Sequence, residues 1–207
     1  MEVALKDGVM MPRLALGTHR LRGTEDLRRA LEPALVAPGG CARGDQRDNH
    51  ARVPTVHIDT ASCYRNEAEI ADVLWDQLEV PRERVFITTK CSPREMADVR
   101  AAVARSRAAL RVEVIDMVLL HWPGIAGKPP SHERHARARA DAWRALEGLR
   151  AEGVVRAIGV SNFEERHLRS LMETADIIPA VNQIELHPLL RRKELVVRTR
   201  THSSLPY

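Results

Sequence analysis

Short apolar runs alternate along this chain with longer segments whose apolar positions recur every three or four residues. The runs read as strands and the longer segments as helices. Strands are expected at 56–60, 85–90, 115–121, 155–161 and 180–186, and helices at 66–78, 93–110, 133–152 and 164–174. Strand interiors such as Met117-Val118-Leu119-Leu120 are continuously apolar, the pattern of strands buried on both faces. Ser92-Pro93 stands where the second helix should begin, with Glu95 early in it. Upstream, Val3-Ala4-Leu5 and Met10-Met11 flank Lys6-Asp7-Gly8, and Asp-Gly supports the tight turn of a β-hairpin. Leu14-Ala15-Leu16-Gly17 gives one more strand. Thr24, as N-cap, followed by Glu25 and Asp26, opens a helix reaching about Leu35.

Four strand-like segments end in a reactive polar residue. Asp59 to Lys90 and Lys90 to His121 are both steps of 31 residues, about one strand, one helix and their turns. Ser161 closes the next strand, and Tyr64 lies in the loop just beyond Asp59. Alternating strand and helix predict an α/β fold, a TIM (β/α)8-type barrel, which gathers the C-terminal ends of its strands on one face. Residues 37–55 break the pattern with turn formers and no period, so a disordered insertion is expected there within a single domain spanning 1–207. After His187 only 20 residues remain, too few for two more strand–helix units. The barrel is therefore expected to stop at about six strands. Its open edges predict self-association.

Composition narrows the classes. The chain has 207 residues, 44% hydrophobic and 29% charged, the profile of a globular domain. No apolar run approaches the roughly 20 residues of a membrane span, and the N-terminus has no secretory pattern. Cys41, Cys63 and Cys91 lack disulfide or metal spacing, which fits a reduced, cytoplasmic setting. The net charge is +4, and Arg134, Arg137, Arg139 and Arg191-Arg192-Lys193 are clustered. Nucleic-acid binding is disfavoured, because nearby acids interrupt the basic stretches and few aromatic rings are available for stacking. A basic interaction protein would rest on charge alone. His132 and His135 complete no metal-ligand set and read as a solvated helix start. Trp75 and Trp143 fit core positions on helices.

An acid, a tyrosine, a lysine and a histidine meeting at one mouth can transfer a proton to a carbonyl. A phenol is a poor acid at neutral pH, and a buried Lys90 ammonium beside Tyr64 is expected to lower its pKa. Asp59 would keep the ammonium charged and oriented, Tyr64 would donate the proton, and His121 would orient the carbonyl or share the proton. Singly, each residue has a blander reading: Asp59 a turn residue, Lys90 a solvated strand end, His121 a satisfied imidazole, Tyr64 a packing ring. The joint arrangement favours chemistry. Ser161-Asn162 and Gln183 can bond both sides of a carboxamide, while Ser161-Asn162 could equally cap the helix starting at Glu164.

The motifs Asp59-Thr60-Ala61-x-x-Tyr64-x-Asn66-Glu67, Thr89-Lys90, Leu120-His121-Trp122-Pro123, Gly159-Val160-Ser161-Asn162-Phe163 and Asn182-Gln183-Ile184-Glu185-x-His187-Pro188 resemble the aldo-keto reductase family. The resemblance covers about Val3 to Leu195, interrupted near 37–55. It implies NADP(H)-dependent reduction of aldehydes or ketones, with Tyr64, Asp59, Lys90 and His121 as the catalytic tetrad. It places the nicotinamide of NADPH against Ser161, Asn162 and Gln183, and its ribose near Gly17, Thr18 and Asp59. Trp122 and His121 would line the pocket for a small-molecule carbonyl substrate, and a hairpin would plug the barrel bottom. His19 departs from the family, where many relatives carry Trp. The family's grip on the adenosine phosphate, beyond strand six, has no match here. The expectation is thus a C-terminally truncated member, with a remnant unable to bind cofactor productively as the alternative.

Overall fold

The computed structural model describes residues 2–36, 55–196 and 205–206. Apart from Thr55, the segment expected to be disordered lies outside them. A two-stranded antiparallel hairpin, β1 (Glu2–Ala4) and β2 (Met10–Pro12), precedes a parallel sheet. That sheet runs in chain order through β3 (Ala15–Gly17), β4 (Val56–Asp59), β5 (Val85–Cys91), β6 (Ile115–Leu120), β7 (Val155–Ser161) and β8 (Val181–Gln183). Leu205–Pro206 (β9) pairs with β8 and adds a two-residue seventh member where six strands were expected. A contact between Gln183 on β8 and Asp59 on β4 spans the concave face, so the sheet is curled into a half-barrel. Among the described residues no helix is long and apolar enough to cross a membrane.

Alternation along each strand sorts side chains into two layers. Ile87, Ile58, Val118, Ile158 and Val160 point outward and pack beneath the helices. Those helices are α1 (Gly23–Val36), α2 (Glu67–Ala71), α3 (Val99–Leu110), α4 (Arg134–Ala151) and α5 (Glu165–Met172). Trp143 on α4 is 1% exposed and donates to the Ile177 carbonyl at 3.0 Å. Trp75 is partly buried and donates to Leu110 at 2.9 Å. Inward residues Phe86, Met117, Leu119, Ala157 and Val181 cluster with Leu5 and Met11 of the hairpin. The hairpin therefore closes one end of the half-barrel.

Several local expectations change. Helix α3 starts at Val99, capped by Asp98, whose carboxylate accepts from Ala101 N at 3.0 Å. Glu95 is tied instead to Ser62 and the Ser92 amide, which holds 92–97 as a turn. Thr24 lies inside α1 rather than capping it. Strand β8 is shorter than expected: Asn162 adopts a left-handed conformation (φ 61°) after β7, and among the described residues the β7–β8 ladder ends at Ser161 and Gln183. His135 and Arg139 are buried rather than solvated. The His135 ring accepts from Ile125 N and bonds the Pro129 carbonyl, while Arg139 donates to the Pro123 carbonyl.

Gly159 sits where β6, β7 and β8 pack most tightly. A Cβ there would lie 2.7 Å from Leu119 Cδ2, 2.8 Å from Val181 Cγ2 and 2.9 Å from the Val181 carbonyl oxygen. Gly159→Ala should destabilise the fold by about 1–3 kcal/mol through overpacking. The measure is the urea midpoint at unchanged m-value; an unchanged midpoint would mean these strands can part freely.

Candidate functional site

The same alternation that buries Phe86 and Ala157 places Lys90 and Ser161, four residues on, at the opposite end of the inner face. Gly17, Asp59 and Gln183 end their strands at that mouth too, and His121 follows β6 directly. Lys90 is 1% exposed. Its ammonium donates to Asp59 Oδ1 at 2.5 Å and to the Thr60 carbonyl at 3.0 Å. The other oxygen of Asp59 accepts from Gln183 Nε2 at 2.7 Å.

Tyr64 closes a 3-10 turn, Ser62–Tyr64, directly after β4. Its ring stands edge-on to His121, with centroids 5.8 Å apart, and 4.8 Å from the tilted ring of His19. The Lys90 ammonium lies 5.2 Å from the Tyr64 ring centroid. Among the described residues the Tyr64 hydroxyl has no hydrogen bond to Lys90 or His121. The phenol does not shift as expected from sequence: burial, with the Asp59 and Cys63 charges adding, pushes it up to about 12. Desolvation is the largest cause, and the Asp59 charge adds to it in disfavouring phenolate. At neutral pH Tyr64 therefore keeps its proton.

Burial, with the positive charge of Lys90 second, pushes His121 down to about 4. Its neutral Nδ1 lies 3.5 Å from the Cys63 thiol, and burial pushes that thiol up. Trp122, next to His121, is 50% exposed, a flat apolar wall beside the mouth.

Ser161 donates to the Gln183 carbonyl at 3.1 Å and accepts from Asn162 Nδ2 at 3.1 Å. Asn162 Nδ2 also donates to the His121 carbonyl at 3.0 Å. Neither residue caps α5. Glu164 does, in a capping box with His167. Among the described residues Asn162 Oδ1 and Gln183 Oε1 have no partner, which leaves two acceptors suited to a carboxamide NH2. Thr18 is fully buried and its hydroxyl donates to the Asp59 carbonyl, while Gly17 stays exposed at the rim.

Residues without an assigned role in the sequence build the frame. Asn66 donates to the carbonyls of Thr18 and Leu21 and accepts from the Thr60 hydroxyl. Glu67 is buried and accepts from Thr89 and Ser106 at 2.6 and 3.0 Å. Both stand in the motif around Tyr64. That contiguity was the signal available. His19 reaches the site as a second ring on Tyr64.

Residues 49–202 match the aldo/keto reductase family profile. Over 195 residues the chain is 38% identical to a 9,11-endoperoxide prostaglandin H2 reductase of Trypanosoma cruzi, covering 93% of this chain and 59% of that protein. It is 33% identical to methylglyoxal reductase DkgA of Salmonella typhimurium, covering 97% and 63%. A solved Bombyx mori aldo-keto reductase in complex with NADP superposes at TM-score 0.81 with 26% identity, covering 100% of this chain and 64% of that one. An aldo/keto reductase structure from Brucella melitensis gives 0.80 at 29% identity, covering 100% and 71%. The chain thus spans about three fifths of the length of the curated relatives it matches.

A histidine held below its usual value binds fewer protons folded than unfolded. Stability should therefore fall as pH drops from 6.5 toward about 4, because the unfolded chain takes up the proton that folded His121 refuses. NMR of the imidazole should show His121 neutral at pH 6 and titrating well below that. A midpoint above 6 would contradict the burial described here.

Proposed function

The chain belongs to the aldo/keto reductase family, and from that premise we propose that it reduces aldehydes or ketones to alcohols, using NADPH, with Tyr64 as proton donor. One observation carries the reading: a buried Lys90–Asp59 ion pair lies beneath the paired rings of Tyr64 and His121. Nicotinamide, when bound, supplies the hydride. Ser161, Asn162 and Gln183 present a hydroxyl and amides that fit its carboxamide, and exposed Gly17 leaves room for its ribose.

The chain's own groups handle the proton. Tyr64 stays protonated at neutral pH and, standing at the mouth beside His121, can protonate a developing alkoxide. As charge grows on the substrate oxygen, Lys90 stabilises both that oxygen and the phenolate left behind. Asp59 keeps the ammonium in place. Neutral His121 donates a hydrogen bond that orients the carbonyl, and Trp122 walls the pocket for a small carbonyl compound. The NADP bound to the Bombyx mori relative supports the choice of cofactor. The alternative, a remnant without productive cofactor binding, is not favoured, since the four residues meet with their ion pair intact. Free thiols at Cys63 and Cys91 are compatible with a cytoplasmic setting. The edge at β3 is where we place self-association, to be read from solution mass.

Tyr64→Phe keeps the ring and removes the proton. Aldehyde-dependent NADPH oxidation should fall by ~10²–10⁴-fold, the usual loss when a general acid is removed. An unchanged rate in the Phe variant would rule out Tyr64 as the donor.

A further inference from the structure

Beside Tyr64 lies a cavity of about 530 Å³ whose wall carries Arg22, Arg65 and Arg94 together with Cys63 and Tyr64 itself. The three arginines come from different loops, after β3, β4 and β5. Hydrogen bonds staple those loops together. Asn66 holds the Leu21 carbonyl, next to Arg22, against the loop of Tyr64 and Arg65. Glu95 accepts from Ser62 at 2.5 Å and from the Ser92 amide at 2.9 Å, which fixes the turn carrying Arg94 beside the same loop. Arg65 is held in the left-handed region (φ 60°), its amide bonded to the Ser62 carbonyl. That conformation is unfavourable for a residue with a Cβ and persists only where surroundings impose it.

Among the described residues no carboxylate pairs with Arg22, Arg65 or Arg94. Glu95 is the one acid lining the cavity, and both its oxygens are engaged, the second by Arg105 at 3.1 Å. Three guanidinium groups around one concavity repel one another and focus a positive potential into it. Guanidinium forks match carboxylate and phosphate oxygens, with two N–H donors each. A larger cavity, about 600 Å³, lies between Pro93 and α4, away from the tetrad, and brings no comparable set of groups together.

We propose that this arginine cluster is an anion subsite, and that the substrates of the reaction are carbonyl compounds carrying a carboxylate or phosphate. The inference rests on the carbonyl reduction proposed above and names its substrate class. The anion would sit among Arg22, Arg65 and Arg94, with the carbonyl directed to Tyr64 and His121. Such contacts act on ground and transition states alike, so they should lower KM more than they raise kcat.

The test compares para-formylbenzoate with its methyl ester, and with para-formylphenyl phosphate, in the wild type and in an Arg65→Gln/Arg94→Gln variant. Both arginines are exposed, so the variant should fold; Arg137→Gln on the exposed face of α4 serves as control. For the wild type, KM for the charged aldehydes should be roughly tenfold below that of the ester, the scale of one charge-assisted hydrogen bond. The double variant should erase the difference by raising KM for the anions, with kcat and the ester little changed. About 1 M salt should do the same in the wild type, since screening there shortens to roughly 3 Å. A larger effect with phosphate would assign the dianion, and a larger one with carboxylate the monoanion. Calorimetric binding of para-formylbenzoate, lost in the double variant, decides the matter without turnover. Equal handling of ester and anion, with the variant unaffected, overturns the subsite alone. Failure to reduce any of the three, with anion binding intact, would instead overturn the proposed reaction.

Discussion

The site depends on a buried ion pair. Lys90 has almost no contact with water, and a lone ammonium there would be strongly unfavourable. Asp59 and the Thr60 carbonyl satisfy it, and Gln183 satisfies the far oxygen of Asp59. Three strands, β4, β5 and β8, are joined through this one carboxylate. Removing either charge would leave the other buried and unpaired, a loss of about 3–5 kcal/mol in typical cases. Replacing both with apolar groups would spare the fold but remove the field that Tyr64 and His121 experience. The pair thus fits the chemistry proposed above it better than a role in stability alone.

Two kinds of construction meet along each strand. Toward the hairpin the interior is apolar, and Leu5 and Met11 seal it against Phe86 and Met117. Toward the mouth it turns polar, and the order there comes from directed hydrogen bonds. Asn66 joins the loops after β3 and β4, Glu95 joins those after β4 and β5, and Ser161 joins β7 to β8. Each bond is modest on its own. Together they fix loops that apolar packing does not reach, and loops are where reactive groups are carried.

Much of this was legible in the sequence because period and position carry it. Apolar runs located the strands, and a residue ending a strand on the inner face must face the mouth, so Asp59, Lys90, His121 and Ser161 could be named together. The hairpin followed from Asp7-Gly8. Other features depend on distances that no period encodes. The Tyr64 phenol was expected to be more acidic beside Lys90, yet burial and Asp59 win. Gln183 was assigned to a carboxamide, and the sequence did not show that its amide nitrogen also holds Asp59, which leaves Oε1 for that role. The start of α3 was misplaced at Ser92-Pro93, since Glu95 is drawn away by Ser62 on another loop. His135 read as a residue of a solvated helix start, and the path of residues 123–129 over that helix buries it. Leu205–Pro206 is too short to show any period.

The central claim is that Lys90 and Asp59 act as one unit in transferring a proton through Tyr64. A double-mutant cycle on aldehyde-dependent NADPH oxidation tests it most directly, using Lys90→Met, Asp59→Asn and the two combined. Groups acting as a unit are strongly non-additive, so the double variant should be no slower, within a few-fold, than the slower single variant. Losses that multiply, as they do for independent residues, would show that Lys90 and Asp59 contribute separately and would contradict this account of the site.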